Sequence, residues 1–248
     1  MTLWDIALLA VFCVVAILYA SVGQAGGTGY IAAMGLLGFA PEVIKPTALA
    51  LNILVAAIGC IRFYRADLLT WRTCYPFAIL GAPFSLAGGA INLPPAIYQP
   101  VVGALLLLAA LQMARSAGAA EALDARAPTE PPLLLSLLAG GVLGFASGVT
   151  GVGGGIFLAP VVLAFGWIAT RQAVAVSAMF NLLNSAAALA GVWATMPALP
   201  GELPLWLGAV GIGGLVGSWL GVHHIPPRVM RVILAGLLLM AGVRMIAL

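Results

Sequence analysis

The chain has 248 residues, 63% of them hydrophobic and 7% charged, with a mean hydropathy of +1.16 and a net charge of +3. Soluble domains carry about 25% charged residues, so this composition excludes a water-soluble globular protein and indicates a polytopic membrane protein. The basic balance does not imply a nucleic-acid partner, because Lys and Arg in a membrane protein act chiefly as topology signals.

A spanning helix needs about 20 apolar residues, and a run of 10 to 14 falls short. On that measure the first half holds five apolar segments, at about 3–22, 28–40, 43–62, 73–92 and 96–114, the second of them short. The opening MTLWDIALLAV has an acid and no basic stretch, unlike a cleaved signal peptide, so the first run is expected to be retained. Residues 115–132, RSAGAAEALDARAPTEPP, form a polar, proline-containing linker. The second half repeats the plan at about 133–149, 153–167, 172–194, 204–222 and 229–247, again with a short, glycine-led second member. A shift of 128 places Gly23 on Gly151, Gly26 on Gly154, Gly27 on Gly155 and Gly38 on Gly166, and a slip of one places Asn52 on Asn181. Repetition of this kind marks duplicated architecture. The organisation expected is a first transmembrane repeat over 1–114, a linker over 115–132 and a second repeat over 133–248.

The positive-inside rule orients the segments. Arg62, Arg65 and Arg72 put the loop 62–72 in the cytoplasm, and Arg115, Arg126, Arg171, Arg228 and Arg231 then fall on the same side. That places eight of the ten basic residues inside, with only Lys45 and Arg244 outside. With a cytoplasmic linker and five segments on either side of it, the halves are inverted and both termini lie outside. The fold class expected is an all-α polytopic membrane protein of two inverted five-segment repeats, about eight full spans plus two short or re-entrant segments. The bacterial inner membrane is its expected location.

Non-helical backbone within a membrane is tolerated only where protein or a water-filled cavity satisfies it. The glycine stretches GQAGGTGYI at 23–31 and GVTGVGGGIF at 148–157 should therefore meet inside the protein, each opening a short helix near Gly27 and Gly155. A helix N-terminus offers unpaired N–H groups and about half a positive charge, and glycine lets a ligand approach the backbone. Two such starts make an anion site without a cationic side chain. No carboxylate falls in mid-span, so a cation site is disfavoured. The candidate substrate-binding residues are Gln24, Gly26, Gly27 and Thr28 at the first break and Thr150, Gly153, Gly154 and Gly155 at the second. Thr47 and Asn52 lie on the helix after the first break, and Ser177, Asn181 and Asn184 on the helix after the second. The last three are spaced to share a helix face and are expected to point inward. The plainer alternative is that small residues let helices approach and that Asn and Ser bridge them.

Other features favour structural roles. Cys13, Cys60 and Cys74 read as packing residues, with a redox role as the alternative. Gly59, Gly140, Gly141 and the run 208–214 read as helix packing, the six tryptophans as an interfacial belt, and His223 and His224 as interfacial anchors or, alternatively, gating residues. GVTGVGGG lacks the Lys-Ser/Thr ending of a phosphate loop, and no nucleophile–base pair or metal-ligand cluster stands out. No enzyme activity, cofactor or metal is expected. The expected partners are a small anionic substrate and the lipid bilayer, with a homodimer left open.

At GQAGGTGYIAAMGLLGFAPEVIKPTALALN (23–52) and GVTGVGGGIFLAPVVLAFGWIATRQAVAVSAMFN (148–181) the chain resembles the sulfite exporter TauE/SafE family of membrane permeases. The second copy is nearer the family pattern; in the first, Ala25 and Thr28 interrupt the glycines and Ala32 stands where Pro160 stands in the second. The resemblance implies transport of sulfur-containing anions such as sulfite, thiosulfate or organosulfonates, often as export. An anion channel and a non-transport scaffold or assembly factor are the alternatives.

Overall fold

A computed structural model describes residues 3–118, 131–195, 199–223 and 227–247. The described residues are helical, with α1 at Leu3–Ser21, α2 at Gly27–Leu36, α3 at Pro41–Arg65, α4 at Trp71–Gly89 and α5 at Pro95–Gly118. After the linker come α6 at Leu133–Thr150, α7 at Gly155–Ala164, α8 at Thr170–Thr195, α9 at Leu203–His223 and α10 at Pro227–Ala247. Helices satisfy their backbone internally, which apolar surroundings require. Pro41, Pro95 and Pro227 stand at helix starts, where the missing N–H costs nothing. Most of the expected linker, the residues around 197 and His224 lie outside the described residues.

The ten-residue helices α2 and α7 are each about 15 Å long, roughly half the ~30 Å hydrocarbon layer. Among the described residues, five helices are long and apolar enough to cross a membrane by length and composition: Pro41–Arg65, Pro95–Arg115, Leu133–Thr150, Gln172–Thr195 and Leu203–Leu220. The sequence reading counted about eight. The stretches Ala7–Ser21 of α1 and Val232–Ala247 of α10 are apolar as well. α4 is diluted by Trp71-Arg72-Thr73 at its start and by Pro76 and Pro83.

The tightest pairings are α4 with α6, α5 with α10, α1 with α9, α4 with α8 and α3 with α8. Exchange of each helix with the one five places on turns α4–α6 into α1–α9 and leaves α5–α10 and α3–α8 in place, while α4–α8 becomes the weaker pairing α3–α9. Glycine makes the close approaches. A Cβ on Gly140 would strike the Phe77 carbonyl, one on Gly144 the Gly81 carbonyl and one on Gly148 the Ser85 carbonyl. On α9, Gly213 and Gly217 meet Cys13 and Ile17 of α1 in the same way. The expected packing role therefore applies to Gly140 and Gly213, whereas Gly208 faces open space. The largest buried cluster lies around α1, α2, α3 and α10, where Phe12 meets Tyr30 and Trp206 edge-on at 5.8 and 5.6 Å. Leu134, Val142, Ile212 and Met240 face outward, as lipid-facing side chains do.

Candidate functional site

Both short helices start without a side-chain cap. Gly26, at φ 95°, precedes α2, and Gly154, at φ 77°, precedes α7. A left-handed conformation at both positions is open to glycine at no steric cost. The helix starts are thus bare backbone. Gly27 N–H donates to Asn52 Oδ1 at 2.9 Å. Thr28 and Gly29 of α2 and Gly155 and Ile156 of α7 find no acceptor for their N–H among the described residues.

Asn52 ties the two starts together. Its Nδ2 donates to Asn181 Oδ1 at 2.8 Å and to Ser185 Oγ at 2.7 Å, while Asn181 Nδ2 reaches back to Asn52 Oδ1 at 3.4 Å. Asn52 is fully buried. Buried amides in apolar helices need such partners, which is why these two side chains turn inward. Gly153 lies against the pair, where a Cβ would fall on Asn181 Oδ1 and Asn52 Nδ2. A Cβ on Gly27 would strike the Val152 carbonyl, so the two breaks are in direct contact.

Between them is a cavity of about 10 Å³, room for roughly one water. One wall is Tyr19, Gln24, Gly26, Gly27 and Thr28, and the other is Val152, Gly155, Ile156, Ser177 and Asn181. Among the described residues, no charged side chain lines it. Tyr19 and Thr28 share a hydroxyl hydrogen bond at 2.7 Å. Ser177, 4% exposed, has no partner for its Oγ among the described residues. The chemical character is that of paired positive helix ends with one free hydroxyl.

Of the thirteen residues expected from sequence, seven line this cavity: Gln24, Gly26, Gly27, Thr28, Gly155, Ser177 and Asn181. Asn52 and Gly153 sit immediately behind it. Gly154 shapes the turn and faces Phe180 and Ser147 instead. Three lie elsewhere. Thr150 donates to the Ala146 carbonyl at 2.6 Å and receives Tyr98 OH on its own carbonyl at 2.9 Å. Thr47 is buried away from the cavity with no hydroxyl partner among the described residues. Asn184 turns to α4, where its Oδ1 is 3.2 Å from the position of a Cβ on Gly81. The expected common face of Ser177, Asn181 and Asn184 is therefore divided between cavity and helix interface.

The sequence reading passed over Tyr19, Ser185, Val152 and Ile156. Ser185 is four residues beyond Asn181, so the face already assigned to Asn181 includes it. Tyr19 carries no comparable signal. Its role depends on α1 and α2 folding back on each other.

Two flanking features complete the site. A cavity of about 830 Å³ extends from it to Arg62 and Arg65 at the end of α3, and Gly23, Gln24, Ala25 and Ala178 line both spaces. At the opposite end Lys45 is 5% exposed and donates to carbonyls at the end of α4. The expectation placed Lys45 simply at an outer helix end. It is at an end, but inside the protein, because carbonyl oxygens more than forty residues away in sequence reach it.

Residues 8–245 match the family model described as Sulfite exporter TauE/SafE. The chain is 50% identical over 241 residues to "Probable membrane transporter protein y4hK" of Sinorhizobium fredii, covering 97% of this chain and 98% of that one. It is 29% identical over 134 residues to "Probable membrane transporter protein MJ0441" of Methanocaldococcus jannaschii, covering 53% and 48%. No solved structure matches the chain.

Proposed function

The chain belongs to the sulfite exporter TauE/SafE family and is an integral membrane transporter, and from that premise we propose that it moves a small sulfur-containing anion, such as sulfite, thiosulfate or an organosulfonate, by alternating access. The observation that carries this reading is the meeting of two helix starts at a cavity where, among the described residues, no charged side chain lines the wall and the Ser177 hydroxyl has no partner. N–H groups and the helix dipoles attract an anion there and repel a cation. The family supplies the sulfur chemistry; the site supplies the sign of charge.

The transport cycle follows from the cavities. Room for about one water is too little for a sulfur oxyanion, so binding requires the walls to part. Such a constriction suits a carrier better than a channel. The exchange pattern of helix pairings supports two repeats of five segments, 1–114 and 133–248, one rocking against the other. With the arginine-rich end cytoplasmic, both termini are external and the wide vestibule loads from inside, which favours export across the inner membrane.

A thermal-shift panel on purified protein tests the ligand class, with sulfite, thiosulfate, sulfoacetate, taurine and sulfate. A ligand present at about 100 times its Kd stabilises the folded state by roughly 2.7 kcal/mol, so at least one of these anions should raise Tm clearly. Ser177→Ala removes no hydrogen bond, so its unliganded Tm should stay near wild type while the anion-dependent rise shrinks. A flat panel, followed by sulfite flux in proteoliposomes no faster than in empty vesicles, sinks the proposal.

A further inference from the structure

The end of the molecule opposite the Arg62 vestibule is closed around a buried cation, Lys45. Lys45 Nζ donates to the carbonyl oxygens of Gly88 at 3.3 Å, Gly89 at 2.8 Å and Ile91 at 2.8 Å, the end of α4 and the residues just beyond it. Its stem lies on Gly151, where a Cβ would sit 3.2 Å from Lys45 Cα and Cγ. Gly151 is the point at which the chain leaves α6 for α7. Alongside, Tyr98 OH donates to the Thr150 carbonyl at 2.9 Å, so α3, α4, α5 and α6 are tied at one place. Only about 20 Å³ of space remains there, lined by Lys45, Glu42, Asn92 and Val149 among others.

The acceptors around Lys45 are neutral. Glu42 borders the same space, yet no carboxylate pairs with the ammonium among the described residues. A buried ammonium held by carbonyl dipoles alone has no counter-charge, and an anion satisfies it better than dipoles do. Gly151, on which the Lys45 stem lies, is four residues before the start of α7.

The matching position in the other half is apolar. Asn52 and Asn181 pair across 129 positions, and the same offset takes Lys45 to Val174. Val174 lies against Gly23 as Lys45 lies against Gly151. It also lines the 830 Å³ vestibule. Matching positions thus hold a cation with three acceptors at the closed end and an apolar side chain at the open one.

We propose that Lys45 latches the closed end and, when the α4 carbonyls withdraw, becomes the cation that receives the anion on that side. This rests on the alternating-access reading. The latch is tested with Val149→Cys in proteoliposomes, probed from the Lys45 side with a membrane-impermeant maleimide against the native-cysteine background. Labelling should be slow, should rise about tenfold with Lys45→Met and should stay slow with Lys45→Arg. An unchanged rate in the Met variant overturns the latch. Tyr98→Phe keeps every charge and removes only the tie to Thr150, so it should speed labelling about threefold. No acceleration there also overturns the closure, even if the Met variant folds poorly.

The receiving role is read from radiolabelled sulfite flux. With Lys45→Met the half-saturating concentration should rise about tenfold for sulfite presented on the Lys45 side and stay unchanged on the vestibule side. Equal changes on both sides, or none, overturn that role. Labelling needs no substrate. Absent sulfite flux with the expected labelling would therefore sink the sulfite reading and leave the latch standing, and the converse result would do the opposite.

Discussion

Asn52 and Asn181 carry the strongest residue-level claim, since each satisfies the other and Asn52 also holds Gly27 N–H. Interhelical hydrogen bonds between buried polar side chains contribute about 0.6–2 kcal/mol in membrane proteins. A double-mutant cycle of Asn52→Ala and Asn181→Ala, read by reversible unfolding in detergent, should return a coupling in that range. Additive losses would mean that the amides act separately. Flux should fall in both single variants, because Asn52→Ala frees an N–H at one helix start and Asn181→Ala removes a wall of the cavity. These two residues were legible in the sequence because an Asn in an apolar helix demands a partner. Lys45 was not legible as a buried cation, for its acceptors are carbonyls that no side-chain pattern records. Thr150 and Asn184 lie away from the cavity for a related reason. Their polarity was visible, but the neighbours they would find, Ala146 and the α4 surface, depend on helix packing.

At the scale of elements, hydropathy located the helices to within a few residues, and the glycine clusters located the starts of α2 and α7. The reason is physical: apolar length and helix-breaking residues are local properties. Which glycines hold two helices together is not local, and the structure separates them. Gly140 stands against the Phe77 carbonyl, whereas Gly208 and Gly236 have nothing within 4 Å of a Cβ. Gly140→Ala should part α4 from α6 and lower Tm. Gly208→Ala and Gly236→Ala should leave Tm unchanged or raise it, since alanine gains about 0.5–1 kcal/mol over glycine inside a helix. Three equal thermal melts would show that the α4–α6 contact is looser than it stands here.

At the scale of the whole molecule, charge sits at the ends and the middle is neutral. Arg62 and Arg65 border the wide vestibule, and on the proposed anion reading their field collects the substrate before any contact forms. Arg62→Gln with Arg65→Gln should slow flux from that side several-fold at low ionic strength, and the deficit should fade as the screening length contracts from about 10 Å at 0.1 M salt to 3 Å at 1 M. A deficit independent of salt would instead assign the arginines a direct structural part. The Asn52–Asn181 pair has a mechanical meaning under the same rocking motion. It joins matching positions of α3 and α8 and lies between the Arg62 end and the Lys45 end. A bond at the fulcrum of a seesaw keeps its length while the two arms rise and fall in opposition. On the proposed motion the molecule changes which face it opens without releasing this polar tie between its halves.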